Sequence, residues 1–537
     1  MNWKRGLNYE LVMIEPCRML GRGMLIAAIL AVTGPRVSAQ TIIKNFAGVN
    51  SGDTTGLGTG ATPPDTMGAA GTNQFVEFIN GGFAVYNKAG VRQSLISDVT
   101  FWENAGISAG TISAGLTDPR IIYDAGSGRW FATELTLDNT GNRVLVARSD
   151  TSNPSGTWKP LSFTGSSGSA DFDTLGVDAT GVYIGVNNFT SGGSFTGVSF
   201  FSIPKSDLVA STPTLARLTR FDNLNDQVYG FSLQGVSNPT NGPGHGIIIA
   251  IDNVAFKFFD RTTISNSGAA GATLSSRVRI SNTYDAAPNP AAQPGGATVD
   301  AGDDRFSAAV RQSGSNIFMA NTVLQGSHDA VHWLVLKESN NTILGEGVIS
   351  NANFDFFYPS IAANNSGQFL LAFNRSGSTA PAGDISIYGV VGSVNGSTVT
   401  MGSPFLIQTG AVSNFTFSFD SAPYRWGDYS ATMVDPTDDN LFWAIQEIPA
   451  SSTSWGTQIT LISLATNRPS LTIAPAGTNV LVAWPLSAVP GYMLQSTTNL
   501  VPPAAWTTVT NAVIVSINQN VVSLPRPAAA MFFRLQK

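Results

Sequence analysis

Cysteine is nearly absent: Cys17 is the only one in 537 residues. A lone thiol near the N-terminus excludes a disulfide framework, a Cys-ligated zinc or an iron–sulfur cluster. Charge is also scarce, at 12% Asp, Glu, Lys and Arg against a usual share of about 25%. The chain is not disordered on that account, because it is 43% apolar with 31 Phe and 10 Trp and such a chain has enough surface to bury. The charge that exists leans acidic, 35 Asp plus Glu against 29 Lys plus Arg, so electrostatic capture of nucleic acid or an anionic membrane is not expected. Histidine occurs three times, as His245, His328 and His332. His328 and His332 sit in HDAVH, which lacks the Glu of the zinc-protease HExxH pattern and reads as a surface pair. No GxSxG, P-loop or dinucleotide fingerprint stands in its strand and helix context, so serine hydrolase, NTPase and Rossmann chemistry have no support.

Long apolar runs are missing too. The longest near the N-terminus, MLIAAILAV from Met24 to Val32, is shorter than the roughly 20 residues of a membrane span. Basic residues precede it, and Val37-Ser38-Ala39 follows a turn at Gly34-Pro35. This is the pattern of an export signal over residues 1–39, cleaved after Ala39. Its removal takes away five basic and two acidic residues and leaves the remainder more acidic still. The expected location is outside the cell or on its surface, with no transmembrane segment in the mature chain.

Helical periodicity is scarce, whereas short alternating strands bounded by Gly, Asn and Asp recur, as in FVEFIN, RVLVARS, GVYIGVN and GQFLLAFN. That pattern predicts an all-β chain. A repeated unit stands out: a polar or aromatic residue, a short apolar strand, a Gly/Asn/Asp turn, then a strand with an aromatic. It begins at Asp65, Asp118, Asp173, Tyr229, Arg305, Tyr358 and Asp428, at intervals of 53 to 76 residues. Each interval suits a four-stranded blade, and seven units predict a seven-bladed β-propeller over residues 40–464. The strand around Ile42 to Ala47 is expected to pair with the last blade and close the ring, which removes free sheet edges. The Pro-, Gly- and Asp-rich stretch 281–304 reads as an exposed insertion able to cover one mouth of the channel. Residues 465–468 read as a linker. Residues 469–537 hold short strands between Pro and Asn turns and predict a small antiparallel β-sandwich, with Trp484, Leu494, Trp506 and Phe533 in its core.

The segments PPDTMGAAG, DPRIIYDAGSGRWFAT, FYPSIAANNSGQFLLAF and YRWGDYSATMVDPTDDNLFWAIQE resemble a group of secreted bacterial propeller proteins of unassigned function, distantly similar to the sialidase-like superfamily. The resemblance covers roughly residues 60 to 464. It implies the propeller and brings no established reaction with it. Sialidases bind a carboxylate with three arginines and use a Tyr nucleophile, a Glu partner and an Asp acid, beside turns of the type S-x-D-x-G-x-T-W. Here Thr151 to Trp158 (TSNPSGTW) keeps Thr151, Thr157 and Trp158 but has Asn153 and Ser155 at the Asp and Gly positions. Arg120, Arg305 and Arg425 lie near strand starts, without the sialidase sequence context. The tail, VAWPLSAVPGYMLQSTTNL through MFFRLQK, resembles a C-terminal module of exported proteins from Verrucomicrobia-type bacteria, which implies export and surface retention.

The repeat aligns Asp65, Asp118, Asp173, Tyr229, Arg305, Tyr358 and Asp428 in one column where each blade's innermost strand begins. With Arg120 and Arg425 nearby, such a column at a channel mouth suits a hydroxyl-rich ligand or a hard cation such as Ca²⁺. A different outcome is that each Asp only caps its own turn. Asp435, Asp438 and Asp439 (DPTDD) and the pair Asp303, Asp304 are weaker Ca²⁺ candidates, since a Pro-containing β-turn explains DPTDD without metal. No cofactor beyond Ca²⁺ is expected. The leading expectation is a secreted, non-catalytic propeller that binds a glycan or another extracellular or cell-surface component at the channel mouth. The alternatives are a glycan-processing hydrolase or lyase, and an adhesion or matrix protein without a small-molecule pocket.

Overall fold

Strands such as Gln74–Ile79 (QFVEFI) and Gly246–Ile251 (GIIIAI) are buried along almost their whole length. Sheets covered on both faces need apolar side chains at odd and even positions alike, and this is why charge is rare. A computed structural model describes residues 12–14, 40–138, 141–238, 244–255, 257–284, 286–416, 421–464, 471–485, 492–500, 505–516, 519–527 and 530–536. The chain divides into two compact units, Gln40–Leu464 and a second that holds Ala465–Lys537 with Met1–Ala39. No described helix is long and apolar enough to cross a membrane.

Among the described residues, the larger unit contains seven antiparallel sheets of four or five strands and one two-stranded ladder. Six sheets are meanders led by Gly68–Ala70, Leu116–Asp124, Ser169–Val177, Phe231–Gly235, Arg311–Ser313 and Asp355–Ala363. The seventh is led by Ala431–Asp435, and its outermost strand comes from the other end of the unit: Thr41–Asn50 pairs with Ser454–Ser463, Phe46 opposite Ile459. The two ends of this unit are thereby held in one sheet, as the sequence led us to expect. Each leading strand packs beside the next and the last beside the first, so the sheets form a closed cycle.

Two glycines show how tight the cycle is. A Cβ on Gly176 would lie 2.2 Å from the Gly235 carbonyl oxygen, and one on Gly71 2.3 Å from the Trp130 ring. Only a residue without a side chain allows these approaches. The turns after the leading strands are stapled by their own Asx residues: Asp124 accepts from Ser127, Asp178 from Thr180 and Gly181, Asn364 from Ser366 and Gln368, and Asp435 from Thr437. The helix Asp98–Ala105, capped by Ser97, buries Phe101 against Phe83 and Trp158, and Trp102, whose Nε1 donates to Glu134.

The 281–304 stretch is not the exposed loop that its composition predicts. Ala291, Val299 and Ala301 are buried, and Ala291–Ala292 pairs with Thr298–Val299. The side chain of Gln293 exchanges hydrogen bonds with the backbone of Phe415. His332 likewise departs from the surface reading: it is fully buried between Asn321 and Glu346, whereas His328 pairs with Asp355.

Among its described residues, the smaller unit has two four-stranded antiparallel sheets. One contains Thr472–Ala476, Asn479–Pro485, Gln519–Pro525 and Ile514–Ser516; the other contains Met493–Thr497, Thr507–Thr508, Met531–Gln536 and Val12–Ile14. Trp484, Leu494 and Phe533 lie in its core with Val482 and Val522. Trp506 is half-buried, under the Arg534 guanidinium at 4.4 Å. The apolar run and cleavage point of the expected export signal, and the 465–468 linker, fall outside the described residues.

Candidate functional site

Leading strands that start side by side bring together the residues just before them. A cleft of about 980 Å³ opens there, lined by seven carboxylates, Asp65, Asp98, Asp118, Asp171, Asp300, Asp303 and Asp428, and by Arg305 and Arg425. These residues come from well-separated parts of the sequence, so the cleft exists only once the cycle closes.

Backbone strain marks where each strand begins. Asp65, Asp118, Phe172, Ser232 and Tyr358 all have positive φ, between 47° and 59°. In four of the sheets the pairing register also shifts at this point, between Thr117 and Arg120, Asp171 and Thr174, Phe231 and Gln234, and Phe357 and Ser360. These are β-bulges, which re-aim a side chain at the start of a strand.

The bulge also corrects the expected column. Phe172, not Asp173, occupies the position equivalent to Asp118 and Tyr358, and Ser232, not Tyr229, does so in the fourth sheet. Asp173 is fully buried and accepts from the Thr133 hydroxyl at 2.5 Å. Tyr229 ends a short helix, Asp226–Tyr229, and packs at the edge of an apolar cluster with Phe195 and Leu224. Neither lines the cleft. Tyr358 lines a small adjoining space with Gly302, Arg305 and Asp428.

Asp65 and Asp118 bind strand to strand rather than capping their own turns. Asp65 accepts from the Asp428 N–H and from Asn80 Nδ2, each at 2.8 Å. Asn80 Oδ1 takes the Asp118 N–H at 3.0 Å, and Asp118 Oδ2 takes the Phe172 N–H at 2.7 Å. Four sheets are linked through these bonds.

Arg305 is clasped by Asp303, its Nε 2.6 Å from Oδ1, and lies 4.2 Å over the Phe172 ring. Burial works against its charge, but the Asp303 carboxylate holds the guanidinium above its ordinary value. Arg425 lies 3.7 Å from Asp428. Arg120 is elsewhere: 3% exposed, it stacks 3.3 Å over Tyr429 and donates to the carbonyls of Asp173 and Ser307, lining a small axial cavity beneath the cleft.

Crowded carboxyls in a partly dry site resist ionisation. Burial, reinforced by Asp118 and Asp428, pushes Asp171 up to about 7. Burial pushes Asp428 up to about 6, with Arg305 and Arg425 opposing. Asp65 is raised well above the carboxylate range by burial and then by Asp428 and Asp118. Near neutral pH the cleft therefore holds carboxylic acids beside carboxylates, and offers hydrogen-bond donors and acceptors together.

Asp171, Asp300 and Asp303 lie outside the repeat's column, and nothing in the repeat singles them out. The doublet Asp171-Phe172-Asp173 was the available signal, since a one-residue bulge exchanges which of two flanking acids faces outward. The DPTDD turn is bound within the protein: Asp435 pairs with Lys88 and accepts from Trp443 Nε1 and Thr437, Asp438 accepts from Asn440, and Asp439 from Asn365. Among the described residues no group of three or more acidic, His or Cys side chains is arranged to hold a metal ion.

No protein-family model matches the chain, and no curated protein matches it either. Similar solved structures include a Dyadobacter fermentans protein of unknown function (9% identity, TM-score 0.33, 65% of this chain and 94% of that one). A Hadza microbial sialidase has 12% identity and a TM-score of 0.37, with 73% of this chain and 65% of that one covered. Trypanosoma rangeli sialidase in complex with sialic acid has 10% identity and a TM-score of 0.31, with 79% of this chain and 91% of that one covered. Likeness this distant says nothing of chemistry.

Proposed function

We propose that the chain is an exported seven-bladed β-propeller with a small β-sandwich module, and that it binds a hydroxyl-rich ligand, a neutral or amino-bearing glycan, in the acidic cleft. The observation that carries this reading is the convergence of seven carboxylates and two guanidinium groups on one cleft of about 980 Å³. Sugar hydroxyls both donate and accept, and a mixture of protonated and ionised carboxyls supplies both partners. The volume suits an oligosaccharide rather than a single small ion. An acidic sugar meets carboxylates instead of an arginine cluster, because Arg120 lies below the cleft and Arg305 is neutralised by Asp303. Export is supported by the run Met24–Val32 and by Val37-Ser38-Ala39, and the module at 469–537 fits surface retention.

A second reading has its own support. Asp171 at about 7 and Asp428 at about 6 line the same cleft, and two carboxyls raised towards neutrality in one cleft can serve glycoside hydrolysis as acid and base. One screen separates the two. Neutral, amino and acidic oligosaccharides are titrated into the secreted chain, and new reducing ends are assayed in parallel. Binding of neutral or amino sugars without turnover, weakened at least tenfold in Asp118→Asn/Asp428→Asn, is the expected result. Turnover with a bell-shaped pH profile lost in Asp428→Asn establishes the hydrolase instead. Equal binding of acidic sugars that Asp118→Asn/Asp428→Asn also weakens, or no binding of neutral and amino sugars, overturns the assignment of the cleft and favours an adhesion or matrix role.

A further inference from the structure

The leading strands do not end as they begin. Along Leu116–Asp124, residues 116–118 line the acidic cleft, Arg120 to Ile122 the axial cavity, and Ile122 and Tyr123 a second cleft of about 360 Å³. The same order holds from Asp65 through Met67 to Ala70, and from Asp428 through Ser430 to Met433. The second cleft therefore lies at the opposite end of these strands.

Arg311, which opens the fifth sheet's leading strand, lines both this cleft and the axial cavity. Its backbone is bridged to Ser237. Its side chain makes no hydrogen bond or ion pair with any described residue, and Nε is sealed from solvent without a partner. Several other arginines in this unit are paired with carboxylates: Arg148 with Asp150, Arg217 with Asp207, Arg261 with Glu338, Arg277 with Asp260, Arg305 with Asp303. Burial alone pushes the Arg311 guanidinium down to about 10, so it is still a cation at neutral pH. The residue as a whole is half-buried, so the charge is partly rather than wholly desolvated, and a partly desolvated charge without a partner still carries a cost.

Arg120 faces the same axial cavity. It is 3% exposed and its Nη2 has no hydrogen-bond partner. Asp173 next to it is pushed up to about 8 by burial, so it is largely neutral at pH 7. Two guanidinium charges thus face a cavity of about 10 Å³, room for about one water, with little carboxylate charge to offset them. The carboxylates that do line the second cleft are engaged: Asp435 by Lys88, Trp443 and Thr437, Asp438 by Asn440, Asp439 by Asn365.

We propose that this far end is an anion site: a small oxyanion-bearing ligand enters the 360 Å³ cleft and is held by the Arg311 guanidinium, with the Arg120 charge behind it. The guanidinium fork matches carboxylate, sulfate and phosphate oxygens in pairs. Gln312, Ser313 and Asn365 on the cleft wall already donate to Gly314, Asn364 and Asp439, and offer their side-chain oxygens as acceptors for the rest of a ligand the size of one sugar ring. The site is independent of the acidic cleft, and its failure would leave the reading of that cleft untouched.

The test uses the full secreted chain at constant ionic strength. Thermal shifts and calorimetric titrations are run with acetate, D-glucuronate, sulfate and phosphate, with sodium chloride and glucose as controls. A saturable rise in melting temperature with at least one oxyanion is expected, because a ligand that binds only the folded state stabilises it. Arg311→Met should abolish the response while leaving the ligand-free melting temperature equal or higher, since no protein partner is lost. Arg311→Lys should bind at least tenfold more weakly, and Asp118→Asn should respond as the parent does. Preference for glucuronate assigns a carboxylate ligand; preference for sulfate or phosphate assigns an ester of that kind. No saturable response in the parent, a response that survives Arg311→Met, or destabilisation of ligand-free Arg311→Met with none in Arg311→Lys overturns the proposal.

Discussion

The two ends of the leading strands carry opposite electrostatic problems. At the start, carboxyls outnumber cations, and the excess is handled by protonation, by Arg305 and Arg425, and by backbone N–H groups given to Asp65 and Asp118. At the far end every carboxylate has a partner and one arginine has none. Composition cannot predict this, because a chain with 12% charged residues can afford few unpaired ones anywhere. What matters is whether a charge is consumed by the architecture. Asp65 and Asp118 are partly consumed, since they hold neighbouring strands together, whereas Arg311 is not.

The largest expected effect tests the acid side of this contrast through pH. Burial pushes Glu77 up to about 7 and Asp173 up to about 8, and both are fully buried. Their unfolded values are those of ordinary carboxyls, near 4. Each therefore contributes stability that is complete below about pH 4 and is lost as pH rises through the folded value. Asp435 and Glu346 work in the other direction: they are lowered, despite burial, by Lys88 and His332 among their partners, and they lose stability as the solution becomes more acidic than their unfolded values. Urea denaturation should show greatest stability near pH 5, with a loss on the order of several kcal/mol by pH 8. Glu77→Gln should flatten the part of the slope below pH 7. A profile that is level or rises between pH 5 and 8 would remove the claim that carboxyls in this unit are kept neutral.

Much of the architecture was legible because it repeats. Strand, Asx turn and aromatic strand recur with the same chemistry, and the Asx staples at Asp124, Asp178, Asn364 and Asp435 are the same device used four times. The location of Asp65, Asp118, Arg305, Arg425 and Asp428 at one cleft followed from that repeat. What did not follow was register. A bulge of one residue placed Phe172 where Asp173 was expected and sent Asp171 to the cleft. Similarly, Ala291, Val299 and Ala301 are buried in a stretch that looked like loop, because turn-forming composition does not reveal whether a turn is covered. Arg311 could not be read at all. An arginine in RQS carries no pattern, and having no partner is a property of the folded chain.

Single substitutions should separate the two ends by a smaller margin. Asp65→Ala leaves the Asp428 N–H and Asn80 Nδ2 without their acceptor, and should cost about 2–3 kcal/mol at pH 7 for these two orphaned donors. Asp65→Asn keeps one acceptor and should cost about 1 kcal/mol. At the far end Arg311→Met orphans nothing. The comparison is sharpened if urea midpoints at pH 7 fall in the order Arg311→Met, Asp65→Asn, Asp65→Ala, and it breaks if Asp65→Ala is as stable as the parent.

The smallest effect concerns the acids of the second cleft, Asp438 and Asp439. Asp439 accepts from the backbone and side-chain nitrogens of Asn365, at 3.0 to 3.2 Å. Asp439→Asn retains a carbonyl oxygen for those donors and removes only the charge. If Asp439 acts mainly as a turn partner, the anion response at Arg311 should barely notice its loss. Asp439 is half-buried at the rim rather than sealed, so water reaches its carboxylate and weakens its repulsion of a bound anion, as it weakens other exposed charge pairs. The expected gain in oxyanion affinity is less than about twofold, which by the tenfold-per-1.4 kcal/mol rule is below about 0.4 kcal/mol. A much larger gain in calorimetric titration would mean that Asp439 faces Arg311 directly, that the cation is already partly matched, and that the two ends of the strands differ less than their hydrogen bonds indicate.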